Sequence, residues 1–187
     1  VSTEEFIHEA QQMVSKWHGL LRSTGGDLAP EKSYWYLVDF IWKGGRWEYC
    51  SIDDTPGDIW LPGTFHPIER RSPSQFAEAL GIRARPDGKM IDEVKFLRHK
   101  VSAWCDRLRT GMIDRDMAWY CLNATIMKTI EYPLTATTLS RHDIHLVMKP
   151  LLRSALNKVG VQKNMPRKRV SGTRRSRGLG LRDPDWS

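Results

Sequence analysis

The sequence predicts an α+β fold, and three observations predict it. Apolar residues recur at helical spacing near the N-terminus and again through most of the second half. Between these stretches lie short runs rich in aromatic and β-branched residues, punctuated by Gly and Pro. Strands and helices do not alternate regularly and no internal repeat is present, which argues against a doubly wound parallel sheet. The 187 residues are 40% hydrophobic and include 8 Trp, enough for a packed core and unlike a disordered chain.

Ser2-Thr3-Glu4-Glu5 reads as a capping box that opens a helix over residues 3–23. Phe6, Ala10, Met13, Val14, Trp17, Leu20 and Leu21 give its apolar face, and Gly25-Gly26 stops it. The run from Ser33 to Trp42 and the run from Trp47 to Ile52 flank Gly44-Gly45, which predicts a β-hairpin. Asp53-Asp54-Thr55-Pro56-Gly57 is turn chemistry. Short strands are expected at residues 59–61 and 64–70. Ser72-Pro73 predicts a short helix reaching Ala79, with Ser72 as cap and Pro73 in the first helical position. Residues 80–85 are a strand candidate, ended by Pro86-Asp87-Gly88. Ile91, Val94, Leu97, Val101, Trp104 and Leu108 then mark an amphipathic helix that Gly111 ends. Asp114 caps a further helix to about Glu131, ended by Tyr132-Pro133. Ser140-Arg141-His142-Asp143 caps a third, to about Val159, which Pro150 should kink.

Charge is unevenly placed. The formal net charge is +7. From Pro150 onward there are 10 Lys and Arg against 2 Asp, so the preceding residues sum to −1. A near-neutral body with a basic end suggests a polyanionic partner, most simply nucleic acid. Cys50, Cys105 and Cys121 are widely spaced and odd in number, which fits neither a disulfide framework nor a zinc site and suggests a reducing, intracellular setting. No long apolar run predicts a membrane span, the start lacks a signal-peptide pattern, and a first residue other than Met suggests a fragment.

The strongest phrase runs from Gly25 to Trp35, where a helix ends in a Gly pair and a Pro30-Glu31-Lys32 turn leads into an aromatic strand. Residues Gly19 to Phe40 resemble a phrase of retroelement reverse transcriptases, especially non-LTR-like elements of algae and other microbial eukaryotes: G-L-L-R-x-T-G-G-x-L-x-P-x-K-x-x-W-Y-x-x-D-F. Leu80-Gly81-Ile82 with Pro86-Asp87-Gly88 resembles that family's primer-grip hairpin. Ala124 through Leu139, with Ile130-Glu131-Tyr132-Pro133-Leu134 inside it, resembles the helical region beyond the palm. Asn164-Met165-Pro166-Arg167 and Gly178-Leu179-Gly180-Leu181 resemble later phrases, whereas Val170-Ser171-Gly172-Thr173 departs from the family's Val-Tyr-Gly-Pro.

The resemblance implies a division of the chain. Residues 1–89 would close a partial polymerase palm, 90–160 would form a helical thumb-like region, and 161–187 a basic C-terminal segment. Leu80, Gly81 and Ile82 would help position a primer end. Lys32 would match a Lys near the departing pyrophosphate, where a general acid eases expulsion of the leaving oxygen. The partners implied are an RNA template with a DNA primer, or their duplex, and the remainder of the polymerase chain. Mg ions belong to the complete polymerase, none to this chain.

Asp53-Asp54 could suggest paired carboxylates for two metal ions. In the family those aspartates precede the Gly-Gly and Pro-x-Lys phrase, and here the pair follows it, so a solvated turn is the preferred reading. The chain is then expected to lack the catalytic centre and not to polymerise alone. Lys163, Arg167, Lys168, Arg169, Arg174, Arg175 and Arg177 lie in an acid-free stretch, which suits phosphate neutralisation. Trp35, Tyr36, Trp42, Trp47 and Tyr49 are read mainly as packing residues, with base stacking as the other use. His142 and His145 are read as ordinary helix-face residues. Two other functions stay open: a stand-alone nucleic-acid-binding module with a basic arm, and a metal-dependent nuclease using Asp53 and Asp54.

Overall fold

The computed structural model describes residues 2–162 and 164–181. It is mixed helix and sheet, as expected, and divides into two compact units. The first runs to Phe76 and includes Arg85–Asp87. The second takes Ala77–Ala84 and the chain from Gly88 onward.

The first unit opens with helix α1, Thr3–Ser23, whose capping box forms as the sequence predicts: the Glu5 amide donates to Ser2 Oγ, and the Ser2 amide donates to the Glu5 carboxylate. The helix meets a small core of Ile59, Leu61 and Ile68 through Ala10 and Val14, with Leu28 and Trp35 alongside. Gln11 adds a backbone-like clasp. Its amide donates to the Trp60 carbonyl at 2.8 Å, and its carbonyl accepts from the Trp60 amide at 2.7 Å. At the C-terminal turn, buried His18 bonds Asp27 at 2.6 Å, and this hydrogen bond holds the Asp27 carboxyl below its usual range. Strand β1, Tyr34–Tyr36, is followed by β2, Phe40–Lys43, and β3, Arg46–Tyr49. β2 and β3 form the hairpin around Gly44-Gly45, both glycines at positive φ, as a two-residue turn requires. β4, Glu69–Arg71, pairs in parallel with β1. From β4, Arg70 reaches the Thr55 carbonyl and the Thr55 hydroxyl and lies over the Trp35 ring at 4.8 Å, which fastens the loop after β3.

The second unit begins with a hairpin of β5, Ala77–Ala79, and β6, Ile82–Ala84. Helix α2, Ile91–Thr110, buries Val94, Leu97, Val101, Cys105 and Leu108, the spacing read from the sequence. Burial raises the Cys105 thiol to about 11, so it stays protonated and inert. Helix α3, Arg115–Cys121, capped by Asp114, passes through a π turn, Leu122–Met127, into α4, Lys128–Leu134. Helix α5, Arg141–Pro150, has a capping box of Ser140 with Asp143 and passes through a second π turn, Leu151–Ala155, into α6, Leu156–Lys158. Each π turn takes up one extra residue. Ala118, Leu122, Ile126 and Ile130 are all buried at steps of four, as are Val147, Leu151, Ala155 and Val159. In an unbroken α-helix such a row would drift about 120° around the axis, and one absorbed residue removes about 100° of that drift.

Several elements differ from the sequence reading. The aromatic run does not form one strand: β1 and β2 are separated by Leu37, Val38 and Asp39, and Leu37 turns into the interior. Residues 59–61 form only a bridge, Trp60 with Pro67, and the strand near residue 70 is confined to β4. No helix follows Ser72-Pro73. The Gln75 amide donates to the Ser72 carbonyl, the Gln75 side chain accepts from the Ser72 amide, and this closed turn feeds directly into β5. Tyr132-Pro133 does not end its helix, which continues to Leu134 with Pro133 inside its last turn. On α1 the apolar face is split: Ala10 and Val14 pack inward, whereas Phe6, Met13, Trp17 and Leu20 are exposed.

Candidate nucleic-acid interface

The basic segment is folded onto the helical core of the second unit. Helix α7, Arg167–Ser171, buries Val170, and a 3-10 turn, Arg174–Ser176, follows. The chain then returns along α7: the amides of Leu179, Gly180 and Leu181 donate to the carbonyls of Arg169, Gly172 and Val170. Leu181 is buried with Val170 in the same core as α2 and α5. Gly178 makes this return possible, because a Cβ there would stand 2.0 Å from the Gly172 carbonyl oxygen. Two buried apolar anchors thus hold a segment on which Arg167, Lys168, Arg169, Arg174, Arg175 and Arg177 are all exposed. Lys163 lies outside the described residues.

Beside α7 is a groove of about 440 Å³ walled by α5 and the π turn that follows it. His145, Lys149 and Arg153, at steps of four, line one side and Arg167 the other, and among the described residues no acidic one lines it. Leu152, Leu156, Met165 and Val170 supply apolar surface. Arg167 Nη2 lies 2.8 Å from His145 Nδ1, so a ring accepting that bond carries its proton on Nε2. From the sequence, His145 is read as a helix-face residue, and Lys149 and Arg153 are not singled out. Their i, i+4, i+8 spacing beside the basic segment was the available signal.

The β5–β6 hairpin turns through Leu80 and Gly81, both at positive φ, 52° and 79°. A two-residue turn of this kind suits Gly and Asn, and a leucine there is strained. Leu80 is nevertheless 88% exposed, and its carbonyl accepts from the Tyr132 hydroxyl of α4 at 2.9 Å. Leu80→Asn is therefore expected to stabilise the protein by about 1 kcal/mol. Urea unfolding checks this, and a loss of stability would show that the leucine side chain holds the turn. Behind the hairpin, Glu93 is fully buried in the first turn of α2 and accepts from the Arg83 amide at 2.9 Å. Ile82 starts β6 on the far side of the turn.

Lys32 ends a 3-10 turn, Pro30–Lys32, with its amide donating to Ala29 and its side chain exposed. Asp54 is engaged locally: its carboxylate accepts from the Ser51 amide at 3.1 Å and the Ser51 hydroxyl at 2.8 Å, and these bonds hold it below its usual range. On the β2–β3 hairpin the register sets Phe40 opposite Tyr49 and Trp42 opposite Trp47, with ring centroids 4.7 and 5.2 Å apart. All four rings are exposed, Trp47 by 67%. Packing thus accounts for Trp35 and not for this ribbon.

Cys50, Cys105 and Cys121 are free thiols. Among the described residues no helix is long and apolar enough to cross a membrane. The chain matches no family model, and comparison with the curated proteins and with the solved structures finds no similar protein.

Proposed function

We propose that this chain is the portion of a retroelement reverse transcriptase that follows the catalytic aspartates, and that it grips a template-primer duplex without polymerising alone. The observation that carries the reading is the basic turn seated on the helical core by Val170 and Leu181. Six exposed cations on an anchored frame suit the regular phosphate spacing of a duplex and release counterions on binding. The order of the Gly25-Gly26, Pro30-Glu31-Lys32 and Leu80-Gly81-Ile82 phrases supports the family assignment. So does the exposed apolar surface of the first unit, on α1 and on the β2–β3 hairpin, which the rest of a polymerase would cover. In that setting the Leu80 turn would touch the primer, Lys32 would lie toward the leaving pyrophosphate, and the complete enzyme would supply Mg ions.

One observation favours a stand-alone nucleic-acid-binding module instead. The second unit has its own extensive core and carries the whole described basic segment. Both readings predict tight, salt-sensitive binding of an RNA–DNA hybrid by the full chain. Replacing Arg174, Arg175 and Arg177 with Gln should lower the slope of log affinity against log salt by about 3. Fluorescence anisotropy across a salt series measures it, and an unchanged slope would remove the basic turn from the interface. The two readings part in the encoding DNA, where the polymerase reading expects codons for an aromatic-x-Asp-Asp phrase shortly before that for Val1. An intact frame without the phrase selects the module.

A further inference from the structure

The groove between α5 and α7 differs in kind from the exposed arginines. It is concave, its cationic groups converge from two elements, and it has an apolar wall. A duplex backbone needs a line of separated charges, which the turn at residues 174–177 presents. A groove lined by Lys149 and Arg153 on one side and Arg167 on the other offers three cations to a single anionic group. A phosphodiester carries one negative charge, whereas a phosphate monoester carries close to two at neutral pH. The monoester is the better match, and Leu152 and Met165 offer apolar contact for a sugar and base.

We infer that this groove binds a nucleoside phosphate monoester, with Lys149, Arg153 and Arg167 on the phosphate and Leu152 and Met165 against the nucleoside. The inference deepens the nucleic-acid reading and rests on it for the choice of a base-bearing ligand. His145 has a positioning part. By accepting from Arg167 it ties α7 to α5 and restrains the guanidinium at the groove. The ligand has two natural sources with the same chemistry, a free mononucleotide and the phosphorylated end of a strand.

The test uses the full chain and titration calorimetry. Adenosine monophosphate is expected to bind, and adenosine and inorganic phosphate each to bind about tenfold more weakly or worse, since each offers half of the contacts. A Lys149→Gln, Arg153→Gln double variant should lose adenosine monophosphate by about tenfold or more, while an Arg174→Gln, Arg175→Gln variant should retain it within about twofold. Thermal unfolding of both variants near the parent temperature keeps the comparison valid. An oligonucleotide with a 5′-phosphate binding more tightly than its 5′-hydroxyl twin identifies the strand end as the source, and equal binding identifies the free nucleotide. No binding of adenosine monophosphate, or equal binding by the groove variant, overturns the inference. Salt-sensitive hybrid binding that survives such a result leaves the broader reading standing, and its absence alongside intact mononucleotide binding removes that reading alone.

Discussion

A chain carrying Glu93→Ala is expected to lose about 3 kcal/mol of folding stability, the scale seen when one partner of a buried ion pair is removed. Glu93 is fully buried where α2 begins, and one carboxylate oxygen takes the backbone amide of Arg83 in β6 at 2.9 Å. The same oxygen lies 4.0 Å from the Arg83 guanidinium, which sits over the Phe96 ring at 3.5 Å. Alanine would leave the Arg83 amide without its acceptor and would remove one carboxylate beside the guanidinium, Glu78 at 2.9 Å being another. Glu93→Gln keeps an acceptor for the amide and loses only the charge, so it should fall between the parent and the alanine variant. Urea unfolding gives both values. An alanine cost below about 1 kcal/mol, the range of exposed pairs such as Arg46 with Glu48, would show that the carboxylate does not tie β6 to α2.

The second large effect is expected at Gly178. An added Cβ would meet the carbonyl oxygen of Gly172 at 2.0 Å and its carbon at 2.2 Å. Both contacts are with backbone atoms and a Cβ has no rotamer of its own, so no side-chain change relieves them. The return of the chain along α7 must open, with loss of the amide bonds from Leu179, Gly180 and Leu181 and withdrawal of Leu181 from the core. Overpacking of this kind costs about 1–3 kcal/mol, here confined to one edge of the unit. Gly178→Ala should therefore stay folded, lose hydrogen-exchange protection at Leu179 and Leu181, and weaken hybrid binding by about tenfold. Unchanged protection at those two amides would refute the return path.

Local signals were the legible ones. The two capping boxes, the Asp114 cap and the three-and-four spacing of α2 depend on neighbours a few residues away, and all formed where the sequence placed them. The basic segment could be read from charge alone. What could not be read was long-range or a matter of competition. The parallel pairing of Tyr34–Tyr36 with Glu69–Arg71 joins segments with no local relation. At Ser72-Pro73 a helix-start pattern met a rival turn closed by Gln75, and the short Leu80-Gly81 loop then drew Ala77–Ala79 into a hairpin despite its helix-forming residues. The groove wall of His145, Lys149 and Arg153 was hidden because each side chain, taken singly, is ordinary on a helix surface.

The two π turns make residue count itself a constraint. His145, Lys149 and Arg153 stand at steps of four that straddle the start of the second π turn, like the buried row on the opposite side of the same helix. An uninterrupted α-helix would carry Arg153 about 80° out of file with His145. Deleting Ser154, which does not line the groove, would remove no groove side chain, yet it would swing everything beyond by about 100° and take core and groove out of phase together. Point substitutions on this helix can be absorbed one at a time. A single-residue deletion acts on both faces at once, so length in this stretch should be held more strictly than identity.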